Sequence, residues 1–334
     1  TRSIMRSPAA GLECGTMLDT QGMRMTDRMW PDATITDVGG FSRIGWRDGM
    51  VSISGTVRVD AVRATAPVGE VSSFFITNSP SGSHLDSSET NLSAAASASF
   101  DVSQHWVLAF GLGSAVRTAD ASERYSDRIP SSKAQFAAEF VGDPQLKPER
   151  SNQADVWLDG RYEDFRLHLG AFTRKIDDYI TIQTTSLSKR LPLSPPTVFQ
   201  YINGEATFHG IDGSLALGLT EEITLGVSGS YLYGKDDELN EPAIGISPVQ
   251  TSLSLRYEHP SSVFYAEGIA RAIGAQRRVS VSRNEDFTGG YQTGDIRTGF
   301  GLSDGITLRA RLLQASCKRI AFVFTLLQQA QVTI

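Results

Sequence analysis

Short and long connections alternate along most of this chain, and that rhythm constrains the fold more than any single motif. The short ones read Arg47-Asp48-Gly49, Asp101 to Gln104, Glu163-Asp164, Thr220-Glu221-Glu222, His259 to Ser262 and Ser303-Asp304-Gly305. Between them lie stretches of roughly 12 to 33 residues rich in Ser, Asp, Pro, Gly and Arg, and the joining segments run about ten residues. Strands wound up and down through a bilayer produce this pattern, with tight turns on one side and long loops on the other. A soluble sandwich distributes its loop lengths more evenly.

Composition does not contradict this. The 334 residues are 40% apolar with a mean hydropathy of -0.17, and no run of about 18 apolar residues supplies a spanning helix. A barrel strand needs apolar residues only at every second position, so its average hydropathy stays near zero. A net charge of -6 gives no electrostatic footprint for nucleic acid. Cys14 and Cys317 stand near opposite ends in unrelated contexts, and His84, His105, His168, His209 and His259 are scattered singly. A disulfide, a CxxC metal site or a thiol enzyme therefore finds no support. The first residues, Thr-Arg-Ser-Ile-Met-Arg-Ser-Pro, carry no apolar targeting segment, so an exported protein of this sequence is expected to be a fragment.

Each expected strand can be tested for period two, since successive side chains point to opposite faces. Trp106, Leu108, Phe110, Leu112 and Val116 oppose Ala109, Gly111, Gly113, Ala115 and Arg117. Ala154, Val156, Leu158 and Tyr162 oppose Asp155, Trp157, Asp159, Arg161 and Glu163. Similar splits cover Phe165 to Ala171, Ile223 to Tyr233 and Val249 to Glu258. Aromatics fall at strand ends (Trp106, Tyr162, Tyr231, Tyr233, Tyr257, Phe264), where a bilayer interface would hold them. The segment Val263 to Ile273 fits less well, because Glu267 and Arg271 share a face with Tyr265. The pattern gives twelve strands in six hairpins: 35–46 with 50–63, 90–100 with 105–117, 151–162 with 165–183, 198–219 with 223–233, 248–258 with 263–274, and 290–302 with 306–311.

Gly142-Asp143-Pro144-Gln145-Leu146-Lys147-Pro148-Glu149-Arg150-Ser151 resembles the GNPxLKPE segment of TonB-dependent outer-membrane receptors, which precedes a barrel strand. In the family's order follow Ile176-Asp177-Asp178-Tyr179-Ile180, then Tyr201-Ile202-Asn203 and Ala206 to Gly210, with Asp212 where Glu is usual. Upstream, Gly55-Thr56-Val57-Arg58-Val59-Asp60 is similar to the family's GxRxD strand. The resemblance implies an all-β fold, an antiparallel transmembrane β-barrel that is incomplete here, with about 12 of 22 strands and no plug domain. Gly142, Pro144, Leu146, Pro148, Glu149, Tyr179, Asn203 and Gly210 are its motif residues. It divides the chain into a Met-rich extracellular loop (1–34), the partial barrel (35–310) and an atypical tail (311–334). The tail lacks the family's closing composition; a shifted reading frame is the first explanation and a divergent tail the second.

The function implied is part of an outer-membrane receptor of a Gram-negative bacterium. It would bind and import a scarce metal or metal chelate, copper or a siderophore, using energy from the inner membrane. Expected partners are outer-membrane lipid, the TonB energy-coupling complex acting through an N-terminal plug, and the metal or chelate. No cofactor, catalytic residue or nucleic acid is expected. A passive or adhesive barrel and a soluble carbohydrate-binding β protein are the other readings.

Five of the six Met residues fall within the first 29 positions. Thioether and thiolate are soft ligands that favour Cu(I), and Cys14, Met23 and Met25 form the candidate metal set. Met17 and Met29 join Met23 and Met25 as candidate substrate contacts, resembling the Met-rich region of copper receptors in this family. Met also fills loop packing with no ligand role. Arg124 and Tyr125, in the charged run Glu123 to Arg128, are candidate ligand contacts, although solvated loops read the same way. Asp177 and Asp178 are adjacent, so an extended strand would point them apart and deny them a shared substrate.

Overall fold

The computed structural model describes residues 10–23, 31–131, 138–260, 264–303, 306–315 and 319–328. They build one 17-stranded sheet. In chain order its strands are β1 (Ala10–Met23), β2 (Ala33–Asp48), β3 (Val51–Thr65), β4 (Ser87–Asp101), β5 (Trp106–Arg117), β6 (Asp127–Ser131), β7 (Ala138–Val141), β8 (Glu149–Arg161), β9 (Phe165–Thr185), β10 (Val198–Gly218), β11 (Ile223–Asp236), β12 (Glu241–Pro242), β13 (Gln250–Glu258), β14 (Phe264–Ile273), β15 (Tyr291–Ser303), β16 (Ile306–Ala315) and β17 (Arg319–Gln328). The short β6, β7 and β12 belong to long connections, and the other fourteen form a wall in which each strand pairs antiparallel with the next. Among the described residues no ladder joins β1 to β17 and no separate plug is seen, so the wall is a partial barrel.

All twelve expected strands are present, and two more extend the wall. Residues 10–23, expected within a loop, form β1 and pair in register with β2 from Ala10↔Trp46 to Met23↔Ala33. Residues 319–328, expected within an atypical tail, form β17 against β16. Neither shows clean alternation in isolation. β1 is interrupted by Gly11, Gly15 and Gly22, and β17 reads as a nearly continuous apolar run.

Register converts the alternation into an outside and a lumen. The large exposed apolar side chains, among them Ile44, Val57, Leu92, Leu169 and Leu253, share one face. The loops fold over the other face, where Asp60, Val62, Ala64 and Asn91 are buried. One hydrogen-bonded row on the outward face runs Trp46↔Ile53↔Ala98↔Phe110↔Val156↔Ala171↔Ile211↔Tyr231. Every member is apolar or aromatic, and the row starts near the tight-turn ends and finishes near the loop ends. Its seven interstrand steps of about 4.8 Å span ~34 Å, whereas a barrel's apolar band is ~25 Å tall, so the row climbs at roughly 45°. The strands lean from the bilayer normal by that same angle, close to the tilt of known barrels.

Aromatics mark both edges of the band. At the turn side Trp106 Nε1 donates to Tyr162 Oη at 3.1 Å, and His105 stacks on Tyr162 with centroids 4.2 Å apart. At the loop side the Arg278 guanidinium lies 4.9 Å from the Tyr231 ring and 5.2 Å from Tyr233. This disposition fits an amphipathic ring held at a membrane interface. The tilt makes a depth-specific prediction. Val156→Arg, mid-band on the outward face of β8, is expected to cost about 2–4 kcal/mol, and Asn152→Arg, at the band's upper edge, about 0–1 kcal/mol. Denaturant titration of the protein refolded into lipid bilayers measures both; equal costs would contradict the assigned tilt.

Candidate functional site: the loop-side rim and the lumen wall

The segment 142–151 returns the longest connection, 118–148, to the wall at β8. A Cβ on Gly142 would lie 2.5 Å from the Arg124 carbonyl, so glycine is needed for two backbones to pass. Its N–H donates to the Ser126 carbonyl at 2.8 Å, and its own carbonyl accepts from Ser79 Oγ at 2.8 Å. The Pro144 carbonyl accepts from Arg124 Nη1 at 2.6 Å. Leu146 is buried with Phe140, Ile180, Ile182, Phe199 and Tyr201 in an apolar cluster beneath the loops. Glu149 accepts from Arg117 Nε at 2.6 Å and from the Ile180 N–H at 2.8 Å.

Three stretches that the sequence shows far apart meet at one point. Asn203 accepts the Lys147 N–H at 2.9 Å, and its amide donates to the Lys147 carbonyl at 3.0 Å and to the Asp178 carbonyl at 2.7 Å. Asp178 has φ +52, a left-handed turn within β9 that coincides with the register shift between Gly204 and Ala206 on β10. Tyr179 packs edge-on against Phe208 at 6.0 Å. Gly210, opposite Phe172, leaves room for that ring on the lumen side. The carboxylates of Asp177 and Asp178 diverge as the sequence predicts, Asp177 toward Asn152 at 3.1 Å and Asp178 toward Lys147 at 3.5 Å.

Arg124 and Tyr125 have a different place from the one expected. They sit on the short helix α2 (Ala121–Tyr125), closed by a capping box between Asp120 and Glu123. Arg124 is 0% exposed, paired with Glu89 and donating to the Ala119 and Pro144 carbonyls. Tyr125 is 1% exposed, its hydroxyl donating to the Leu85 carbonyl at 2.7 Å, and burial pushes its phenol up to about 12. Both hold loop to loop rather than facing a solute. A second buried pair, Arg283 with Asp236, anchors the 274–290 connection on β11, and Arg283 Nε donates to the Ile182 carbonyl at 2.8 Å. No local pattern signals this pair, whose members are 47 positions apart. For α2 the signal was present in Asp120-x-x-Glu123.

The methionine segment divides in the same way. Cys14 stands opposite Ser42, Met17 opposite Gly39 and Met23 opposite Ala33. Nine residues of extended strand put Cys14 and Met23 ~30 Å apart, so they cannot share one ion and Cys14 leaves the candidate metal set. Met25, Met29 and Cys317 lie outside the described residues.

The lumen wall carries paired charge. Asp159 meets His168 Nδ1 at 2.7 Å and Asp212 lies 3.5 Å from Nε2; the two carboxylates bracket the ring from opposite sides and do not converge on one point. Arg256 donates to Glu258 at 2.7 Å, Arg271 to Asp295 at 2.5 Å, and Arg297 lies 3.7 Å from Glu267. Arg174 donates to Gln153, which donates to Asp155, at 2.6 and 2.5 Å. Arg161 and Arg166 face each other in register and take no ion pair among the described residues. Over β4 and β5 the lumen side chains are small, and a recess of about 570 Å³ opens there between Arg43, Asp155, Trp157 and Arg174. No group of three or more His, Cys, Asp or Glu poised for a metal is found among the described residues.

Residues 20–313 match the family model described as TonB dependent receptor-like, beta-barrel. The fold is similar to a solved structure titled copper transporter OprC (18% identity, TM-score 0.74, 92% of this chain and 48% of that one). It is also similar to the FrpB iron transporter from Neisseria meningitidis (13%, TM-score 0.67, 92% and 49%). A third is the ferric yersiniabactin uptake receptor FyuA from Yersinia pestis (10%, TM-score 0.60, 93% and 47%). The chain thus spans about half the length of the solved structures it matches. No curated protein matches it by sequence.

The three-way junction at Asn203 generates a test. Asn203→Ala removes three hydrogen bonds, each worth about 1 kcal/mol, and is expected to loosen the 118–148 connection from the rim. Limited proteolysis from the loop side should then cut within 118–148 at least several-fold faster than in the wild type, with the wall strands still protected. Unchanged cleavage would show that the junction does not hold the loop.

Proposed function

We propose, from the premise that the chain belongs to the TonB-dependent receptor family through its β-barrel domain, that it is the wall and loop cap of an outer-membrane importer whose cargo is copper. The loops face the cell exterior and the tight turns the periplasm of a Gram-negative bacterium. Uptake draws on the inner-membrane TonB complex, acting through a plug in the lumen.

Fold alone does not choose the cargo, since the similar solved structures carry the names of a copper transporter, an iron transporter and a ferric chelate receptor. The observation that carries the copper reading is the run Met23-x-Met25 with Met29. It begins where β1 ends at the loop side, the side an external solute meets first. Thioethers are soft donors, which suit Cu(I) and discriminate against the hard ferric ion. Met17, six residues earlier on β1, is the further candidate along the same strand. The paired charges of the lumen wall leave a polar lining that a hydrated or complexed ion can traverse without binding too tightly to leave.

The test uses the whole receptor in isolated outer membranes, with Cu(I) competed against a chromophoric chelator. Combined exchange of Met23, Met25 and Met29 to Leu is expected to weaken Cu(I) binding at least ~10-fold, equivalent to 1.4 kcal/mol. Absence of Cu(I) binding by the wild type at micromolar metal, or equal binding by the triple variant, would overturn the copper reading and leave a metal chelate as cargo.

A further inference from the structure

We propose that His168 and Asp212 on the lumen wall form a two-ligand site for a borderline divalent metal ion, with Asp159 as the positioning residue behind the ring. The three lie on adjacent strands. His168 on β9 faces Asp159 on β8, and Asp212 on β10 faces Gly170, the next lumen position along β9 from His168. His168 Nδ1 donates to Asp159 Oδ1 at 2.7 Å. An ionised carboxylate only accepts, so this bond places the proton of the neutral ring on Nδ1 and leaves the Nε2 lone pair free. A carboxylate behind the imidazole is the usual support of a metal-ligating histidine, fixing both its tautomer and its orientation.

Asp212 Oδ2 lies 3.5 Å from Nε2. That is long for a charge-assisted hydrogen bond, which runs about 2.7–2.9 Å. It matches the ~3.4 Å between two ligands that each stand about 2.1 Å from a tetrahedral ion. Glycine keeps the space beside both donors open: a Cβ on Gly170 would lie 3.0 Å from Asp212 Oδ1 and 3.5 Å from His168 Nε2. Next to Asp212 a recess of about 420 Å³, lined in part by Ser214, Ser228 and Ser230, offers room and hydroxyls for the ion's waters. Among the described residues His168 is the one side chain paired with Asp212. Arg161 and Arg166, one row or ~7 Å nearer the tight turns, take neither carboxylate. Imidazole with carboxylate suits a borderline divalent ion such as Zn(II) better than soft Cu(I). Two protein ligands completed by water hold an ion weakly enough to release it onward, as passage through a lumen requires.

Equilibrium dialysis of the whole receptor in detergent against Zn(II) tests this, with heat-modifiable gel migration reporting an intact barrel for each variant. His168→Ala is expected to bind one equivalent fewer than the wild type. His209→Ala, which removes an imidazole from the outward face of β10, should bind the same number. Asp159→Ala should weaken the equivalent at least ~10-fold, and Asp159→Asn, whose amide oxygen still accepts from Nδ1, should recover most of that loss. Exchange of Met23, Met25 and Met29 should leave the equivalent in place, so this site and the copper reading fail separately. Equal stoichiometry in the wild type and His168→Ala would overturn the proposal, as would undiminished affinity in Asp159→Ala or a loss there that Asp159→Asn does not recover.

Discussion

Water is absent from the hydrocarbon core of a bilayer, so each backbone N–H and C=O there must find its partner within the protein. Everything else in this wall follows from that requirement. Fourteen strands pair in antiparallel ladders along most of their lengths, and the ladders fix which side chains share a row. Once rows are fixed, the position of the aromatics fixes the tilt: Trp46 and Tyr231 lie on the same row yet at opposite edges of the apolar band. The tilt in turn decides which residues meet lipid at which depth, while the alternation decides which open into the lumen.

Alternation made most of the wall legible in the sequence, because one lipid-facing and one lumen-facing side force a period of two. It was clearest on β5, β8 and β13, where apolar residues face Gly, Ser and charge. β14 read poorly because Glu267 and Arg271 share a face with Tyr265. That face is the lumen, and both charges pair with residues of β15, Arg297 and Asp295. A partner on another strand cannot be seen from one strand alone. The same limit hid β1 and β17, whose strand character lies in pairing and not in pattern.

The loop-side rim was legible as a motif but not as a mechanism. Pro144, Leu146, Glu149, Asn203 and Gly210 were singled out by resemblance, and the structure supplies their physical reason. Glu149 and Asn203 partner backbone groups that would otherwise lack partners, the Pro144 carbonyl takes Arg124, Leu146 is buried beneath the loops and Gly210 leaves room for the Phe172 ring. Arg124 shows the opposite case. A charged loop run looks the same whether it greets a ligand or closes a fold, and the difference here is Glu89, 35 positions away. Burying such a pair stabilises little by itself, yet removing one partner leaves a stranded charge, so the loops are held in one arrangement. The described loops over the loop-side end of the wall accordingly form a fixed surface.

One face of this sheet meets lipid and the other a polar lumen. Nitroxide labels placed singly at successive positions from Gln153 to Gly160 on β8, in the whole protein in bilayers, test it by power saturation. Strict alternation is expected, with labels at Ala154, Val156 and Leu158 relaxed by dissolved oxygen and those at Gln153, Asp155, Trp157 and Asp159 by a water-soluble nickel chelate. Uniform access to the nickel chelate along the strand would contradict it.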